Sequence, residues 1–576
     1  MSERISQRNY QIIVSIVIGI SVGLISVILK VFVHAVKNLV RDAEPSNLRL
    51  VYVFLPFIGI LLTLAFVRFV LKKPLNAGMS ELIQSVAQKK VNIPFYETYA
   101  HVVASSLTVG FGGSVGLEAP IIRTGSAIGA SVAHELLANR KQQSLFLACG
   151  AAAGLAAIFN SPVGGVIFAF EVLLTDVAVH SFIPLIISAA ASAVIAKTFY
   201  YEEIFFLPTE GWKLTGIPFY ILLGAMCGLA SVYMVRMHEA VKSRYGRREM
   251  SMQRRIAGGL ALGVLIFFMP PLFGEGYETV NDLMTGRFFA LASNSPFYWI
   301  SSNDILIILL AVGLVLFKAI ASALTTSIGG NGGIFAPSMF TGAMVGFVFV
   351  HTVNQLGFIH LHEPNFIAAA MAGLLSGIFK APLTGIFLIA EITGGYALFV
   401  PLMIVSAVSY FTSLYFEPYS IFTRELHKKG LWVPAHEKDL GILKNMSVAP
   451  LMETNFHRLS PGMTLGEFVK IIAQSQRNVF PVVDEKGQLK GVVLLDNVRE
   501  KMFNTELYDT LMVRDIMRTP PATVDLYEPM EKVMQKFEEH QAWNLPVLNK
   551  ENYVGFVSKS SIFNQYRQML IDRSNV

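Results

Sequence analysis

Apolar positions dominate the first ~430 residues and come in two lengths. Long runs cover residues 11–36, 51–71, 178–198, 217–236, 256–273, 304–325 and 398–416. Runs of this length suit helices that cross ~30 Å of hydrocarbon. Shorter runs lie near 101–110, 121–135, 145–158, 163–175, 338–353, 366–378 and 385–392. As straight helices these are too short to span, so tilted, re-entrant or protein-buried segments are expected. The pattern changes at about residue 424, where Arg424-Glu-Leu-His-Lys-Lys-Gly430 opens a mixed-charge region. There, apolar strands at 479–483 and 490–495 alternate with amphipathic stretches at 464–474 and 530–540. Strands at 544–548 and 553–557 repeat the order. The pattern predicts two copies of one small α/β unit, at about 446–503 and 512–567, after a linker at 426–445.

One motif interrupts the apolar region twice. Gly112-Gly113-Ser114-Val115-Gly116-Leu117-Glu118-Ala119-Pro120, then Thr124-Gly125 and Gly129, returns about 217 residues later. The second copy reads Gly329-Gly330-Asn331-Gly332-Gly333-Ile334-Phe335-Ala336-Pro337, then Thr341-Gly342 and Gly346. A further pair trails each copy: Phe159 to Gly165, ending at Glu171, and Phe379 to Gly385, ending at Glu391. Two related halves follow, roughly 50–200 and 257–420; the residues leave open whether they run parallel or inverted. Gly/Pro-broken segments at corresponding places in two membrane-embedded halves point to a binding site near the bilayer midplane. Amides exposed at such helix starts attract anions.

Composition agrees with a polytopic membrane protein carrying a soluble domain. Of 576 residues, 53% are hydrophobic and 15% charged, and the mean hydropathy is +0.53. The net charge of +6 is assigned to the positive-inside rule and not to nucleic-acid binding. Lys242, Arg244, Arg247, Arg248, Arg254 and Arg255 crowd one loop, and Arg4 and Arg8 lie at the N-terminus; both regions are expected in the cytoplasm. Residues 12–36 are read as a retained first helix without a signal-peptidase site. Cys149 and Cys227 lie in apolar stretches and read as small buried hydrophobes. No spacing suggests a metal site; His101 and His134 are expected in a core or at an interface.

The duplicated motifs resemble those of the CLC family of chloride channels and proton-coupled chloride transporters, and the tail resembles a tandem pair of CBS domains. The resemblance runs from about residue 10 to 567 and includes a late Pro418-Tyr419-Ser420. It implies an all-α polytopic membrane protein, an inverted-repeat helical bundle over 1–425, with a cytoplasmic α/β tandem CBS domain. It also implies a homodimer in the cell membrane with one ion pathway per subunit.

Glu118 is the foremost candidate residue. A carboxylate in an apolar membrane segment costs roughly 2.5 to 3.5 kcal/mol on insertion scales, so a function or a partner is expected. From the residues alone, a glutamate capping its own helix is the rival reading. The resemblance makes Glu118 the gate, competing with chloride for the same amides and leaving when protonated or displaced. Chloride-binding positions implied with it are Leu117, Ala119, Ile334, Phe335 and Ala336. The glycine-rich start at 332–336 taken alone also fits tight helix packing. Tyr419 is the inner gate and hydroxyl donor by resemblance; alone it fits an interfacial aromatic. Asn76-Ala77-Gly78-Met79-Ser80-Glu81 stands where the family usually has Gly-Ser-Gly-Ile-Pro-Glu. Ala77 therefore lacks the pore serine's hydroxyl, which leaves the amides of Gly78 and Met79 as donors.

Proton-coupled members commonly carry an inner glutamate where this chain has Val172. Valine cannot relay protons, so passive chloride conduction is favoured over proton-coupled antiport. Glu171 and Glu391 are expected to share a structural task, such as capping a helix. CBS pairs often bind adenine nucleotides through an aspartate after a repeat's last strand. The second copy has none there and the first has Asp496 or Asn497, so packing is preferred to nucleotide binding and no cofactor is expected. Rival classes are a membrane-embedded enzyme, for which no catalytic motif is present; a CBS-bearing cation transporter, which would need acidic rings or carbonyl filters; and a membrane-anchored sensor.

Overall fold

Each long apolar run forms a helix because its backbone has no other hydrogen-bond partner in lipid. The computed structural model describes all residues except 1, 43–50, 76–77, 88–92, 175–181, 201–210, 246–250, 294, 358, 430–442, 444–445 and 576. The described chain forms two units, 1–432 and 433–576.

The first unit is helical: α1 (Ser2–Asp42), α2 (Val51–Ala65), α3 (Met79–Ala87), α4 (Glu97–Gly110), α5 (Glu118–Glu135), α6 (Arg140–Phe159), α7 (Pro162–Phe168), α8 (Phe182–Phe199), α9 (Ile217–Tyr245), α10 (Met252–Phe268), α11 (Tyr277–Met284), α12 (Ala290–Ser293), α13 (Asp304–Ser327), α14 (Phe335–Gln355), α15 (Glu363–Phe379), α16 (Pro382–Ile392), α17 (Phe399–Phe416) and α18 (Arg424–Lys428). Among the described residues, eight helical segments are long and apolar enough to span a bilayer. Ile13, Phe54, Phe69, Ile305, Leu309 and Tyr415 are among many large apolar side chains left exposed. That surface suits lipid, and the chain is a multi-pass membrane protein.

Two runs expected to be too short to span belong to longer helices. Residues 145–158 lie in the 20-residue α6 and 338–353 in the 21-residue α14. Polar residues extend α6 at its start, from Arg140, and α14 at its end, through Asn354 and Gln355. At the start of α6, Asn139 accepts from the Gln142 amide while the Gln142 side chain accepts from the Asn139 amide, which satisfies two free donors. Both helices are largely buried by the rest of the protein, as the short runs implied.

The two halves pack alike. Helix α5 lies on α6 and α6 on α8; α14 lies on α15 and α15 on α17. The likeness extends one helix before the expected starts at 50 and 257, since α1 packs on α6 and α8 as α9 packs on α15 and α17. Corresponding helices also end alike. Asn160 and Lys380 adopt left-handed conformations, φ 53° and 58°, that stop α6 and α15. Pro162 and Pro382 then start α7 and α16, where a missing N–H costs nothing.

The second unit holds two small sheets. In one, β1 (Val479–Val483) pairs antiparallel with β2 (Leu489–Leu494). In the other, β3 (Val524–Asp525) runs parallel to β4 (Asn544–Asn549), which pairs antiparallel with β5 (Asn552–Ser558). The amphipathic helices are Leu465–Gln474, capped by Thr464, and Met530–Glu539. They bury Phe468 and Phe537 against Phe480 and Val547 respectively.

Candidate functional site

The glycine motifs of the two halves meet. Gly116 N–H donates to Gly333 O and Gly333 N–H to Gly116 O, each at 2.8 Å, in an isolated antiparallel bridge. The chain directions oppose there, so α5 and α14 start side by side and run away from each other. Around the bridge the contacts are reciprocal. Ser114 N–H donates to Thr325 Oγ1 at 3.3 Å, and Asn331 N–H to Thr108 Oγ1 at 3.0 Å. Gly113 N–H donates to Thr108 O and Gly330 N–H to Thr325 O. These swapped pairs relate the halves by a local two-fold axis. They also satisfy amides and carbonyls that breaking two helices inside a membrane would otherwise orphan.

The crossing needs glycine for closeness. A Cβ on Gly116 would stand 2.0 Å from Glu118 Oε2 and 2.8 Å from Ala336 Cβ; one on Gly333 would stand 2.7 Å from Ala119 Cβ. Leu117, Glu118, Ala119, Ile334, Phe335 and Ala336 are all buried here. Pro120 and Pro337 occupy the first turns of α5 and α14, and two helix N-termini, each worth about half a positive charge, converge.

Glu118 is the first residue of α5 and fully buried. Its side chain folds back over Gly116 toward Ala336 in the other half. Oε1 accepts a hydrogen bond from the Tyr277 hydroxyl. Oε2 has no hydrogen-bond partner among the described residues. The carboxylate thus sits at the meeting of the two helix starts.

An aromatic series leads away from this point. Tyr277 packs edge-on to Phe159, ring centroids 6.5 Å apart, and Phe159 lies 6.4 Å from Phe335. Phe335 stacks on Phe379 at 4.5 Å, and Phe379 on Phe422 at 5.0 Å. Phe422 O accepts from Ser80 Oγ at 2.7 Å. The series joins the Glu118 carboxylate to the start of α3.

Four further expected anion-site positions are Ala77, Gly78, Met79 and Tyr419. Ala77 is outside the described residues. Gly78 precedes α3 and Met79 begins it, and Gly78 O is held by Arg123 Nη1 of α5 at 2.6 Å. Arg123 also pairs with Glu97 at 2.7 Å, and Glu97 lies 3.7 Å from His101. His101 in turn meets the Asn331 side chain at 3.2 Å. Tyr419 is half-buried and stacks on His427 at 3.9 Å; it is Phe422, three residues on, that reaches Phe335 through Phe379.

Val172 is buried in a wide π-type turn, Ala169–Leu173, beside Glu171. Glu171 accepts from Leu383 N–H at 3.1 Å and from Thr384 N–H and Oγ1, each at 2.8 Å. Glu391 accepts from Val163 N–H at 3.2 Å, Gly164 N–H at 2.9 Å and the Ser161 hydroxyl. Each glutamate caps the helix that the other half starts with proline. In the second unit, Asp496 is exposed and pairs with Arg499. Ser558, the last residue of β5, donates to Glu453 at 2.9 Å.

Tyr277, Thr108 and Thr325 were not expected from the sequence. The threonines carried a signal, since they stand at the same offset before the two glycine motifs. Tyr277 carried a fainter one, a phenol inside Gly274-Glu275-Gly276-Tyr277 between apolar stretches.

Comparison with known proteins adds to this geometry. Residues 59–414 match the family model for the voltage gated chloride channel, and residues 448–504 and 513–567 each match that of the CBS domain. The chain is 26% identical over 360 residues to a putative chloride channel protein, ClcB-like, of Ralstonia nicotianae, covering 61% of this chain and 79% of that protein. Its fold is similar to the X-ray structure of a slow cyanobacterial chloride/proton antiporter, with TM-score 0.60 and 21% identity over 73% of this chain and 97% of that one. It is also similar to a eukaryotic CLC transporter, with TM-score 0.59 and 18% identity over 96% of this chain and 97% of that one.

Proposed function

The chain belongs to the voltage-gated chloride channel family and carries two CBS domains, and from that premise we propose that it conducts chloride passively across the membrane, with Glu118 as the gate. The observation that carries this reading is the position of the Glu118 carboxylate, folded over Gly116 against Ala336 where two helix starts converge. A chloride and a carboxylate compete for the same amides, those of Leu117, Glu118, Ala119, Ile334, Phe335 and Ala336. While Glu118 is ionised it occupies the site and blocks it. Protonation removes its attraction for the amides, the side chain swings out, and chloride takes its place. Gly78, Met79 and Tyr419 are assigned to the inner stretch of the pathway, with Ala77 supplying no hydroxyl.

Proton-coupled antiport is the second reading, and the similarity to a chloride/proton antiporter favours it. Two observations weigh toward conduction. Val172 offers no titratable group, and both Glu171 oxygens are engaged by the α16 amides and Thr384. Reconstitution in proteoliposomes with a pH electrode tests the choice. Chloride flux with no linked proton movement is expected; uphill proton movement driven by a chloride gradient would overturn passive conduction. Replacing chloride by sodium or magnesium gradients tests the anion assignment, and no cation flux is expected.

The assembly we assign is a homodimer in the cell membrane, with the N-terminus and the CBS tail cytoplasmic. Exposed apolar residues on α7, α8, α16 and α17, among them Val163, Ile186, Leu383 and Met403, support an apolar contact there. Ser560 and Ser561 stand in the second copy where Asp496 and Asn497 stand in the first, so that copy offers no aspartate, and for this reason the CBS pair is assigned to packing. Calorimetric titration of the tail with ATP, ADP and AMP is expected to give no heat at millimolar ligand.

A further inference from the structure

Glu118 and Tyr277 have a charged neighbour of their own. Glu275 stands two residues before Tyr277, in a turn made by Gly274 (φ +60°) and Gly276 (φ +92°). It is nearly buried, 9% exposed. Lys37, at the far end of α1 from the N-terminus, donates to its carboxylate at 3.4 Å and is itself 31% exposed. On the inner side, the fully buried Lys318 of α13 donates to Gly274 O at 2.9 Å and Leu272 O at 3.4 Å, and lies over the Phe340 ring. The turn that carries Glu275 is therefore pinned by one lysine and reached from the surface beside another. Among the described residues, the charged or titratable groups around it come from α1 (Lys37), α5 (Glu118), α11 (Tyr277) and α13 (Lys318). The same turn reaches the gate by geometry: Gly274 N–H donates to Gly112 O at 3.2 Å, and Tyr277, two residues past Glu275, donates to the Glu118 carboxylate.

We propose that Glu275 is a positioning residue for the gate, one that sets the pH at which Glu118 releases from the side of the membrane that Lys37 faces. The inference rests on Glu118 being the gate. A second negative charge, two residues from the tyrosine that bonds Glu118, disfavours the ionised, blocking form and promotes release. Lys37 offsets that charge in part, so the Lys37–Glu275 pair acts as a bias on the gate. Glu275 itself touches neither the crossing nor the permeating ion; it acts through charge.

The test exploits opposite signs. Chloride flux of the full-length protein is measured in planar bilayers while pH is varied on one side at a time. In Glu275→Gln the midpoint of activation is expected to move down by about one pH unit on the Lys37 side, about a tenfold loss of flux at a fixed pH on the flank. In Lys37→Met it is expected to move up, with a corresponding gain. Glu275→Asp, which keeps the charge, is expected to keep the parent midpoint. Parent-like profiles in both charge variants, or shifts of the same sign, would overturn the inference. Should Glu275→Gln fail to fold, the partly exposed Lys37→Met decides alone: an unmoved midpoint overturns it. Glu118→Gln separates the two levels. If Glu118→Gln keeps the parent pH response, the gate assignment itself fails; if it loses that response while Lys37→Met and Glu275→Gln do not shift the parent's, only the role of Glu275 fails.

Discussion

Gly116 and Gly333 hold each other by two hydrogen bonds of 2.8 Å, and the Glu118 carboxylate lies directly over Gly116. The pairing fixes two helix starts in opposite directions while leaving a gap that no side chain of the pair fills. Gly116 has no positive φ, so its need for glycine is a matter of space alone. A methyl group there would meet Glu118 Oε2 at 2.0 Å, the movable end of a side chain, and Ala336 Cβ at 2.8 Å. Gly116→Ala is therefore expected to push the carboxylate out, giving flux that no longer depends on pH. The packing cost is expected at about 1–3 kcal/mol, read as a lowered unfolding temperature. Flux with the parent's pH profile would mean that Glu118 has another resting place.

Tyr277 gives the Glu118 carboxylate, the proposed block, its side-chain hydrogen bond. A neutral donor to a charged acceptor contributes roughly 1.5–3 kcal/mol. Tyr277→Phe keeps the ring against Phe159 and removes only this bond. The blocked state should weaken, and chloride efflux at pH 7 should rise roughly 10- to 100-fold by that same figure. Unchanged efflux would show that the bond does not hold the gate shut.

Much of this arrangement was readable from the chain, and the unread parts have physical reasons. The repeat at Gly116 and Gly333 was legible because glycine and proline punctuate an otherwise apolar run. The paired glutamates 171 and 391 were legible as sharing a structural task, since each lies nine residues after the proline that starts a helix. The CBS strands and helices were legible because period-two and amphipathic patterns are local. Helix α6 begins five residues before its apolar run because its start is polar, and the Asn139–Gln142 capping pair marks that start. Tyr277 comes from a segment outside both motifs, and only tertiary packing brings it to Glu118. The same holds for Phe422: sequence pointed to Tyr419 nearby, while the stacked rings Phe335, Phe379 and Phe422 are a property of the assembled bundle.

Glu171 and Glu391 bind each other's helices and share no partner. Losing a capping side chain costs about 0.5–2 kcal/mol. Glu171→Ala and Glu391→Ala should each lower thermal stability by that order, and the double variant should lose close to the sum. Halide selectivity should be unaltered in both, and proton flux should stay absent in Glu171→Ala. Proton flux in the parent that vanishes in Glu171→Ala would recast Glu171 as a relay.

Arg123 ties α5, the helix that Glu118 starts, to the start of α3, which we assign to the inner stretch of the proposed pathway. From α5 it holds Gly78 O at 2.6 Å and Glu97 at 2.7 Å, with Glu81 3.6 Å away at the surface. Gly78 precedes the first turn of α3, and in the proposed pathway the α3 amides serve without a hydroxyl at Ala77, so their direction depends on this clamp. Arg123→Met should cost about 3–5 kcal/mol, because it strands the Glu97 carboxylate in the core. Arg123→Met with Glu97→Met removes both charges and should recover most of that loss, since apolar replacement of a buried pair is often neutral. Stability and selectivity then part company. The double variant folds but has no hold on Gly78, so its chloride-to-nitrate permeability ratio should still differ from the parent's. Arg123→Lys should not restore that ratio, because an ammonium cannot reach Gly78 and Glu97 with the planar fork that a guanidinium offers. A double variant with the parent's ratio would reduce Arg123 to a core ion pair and leave the α3 start to be positioned by Ser80 and Phe422 alone.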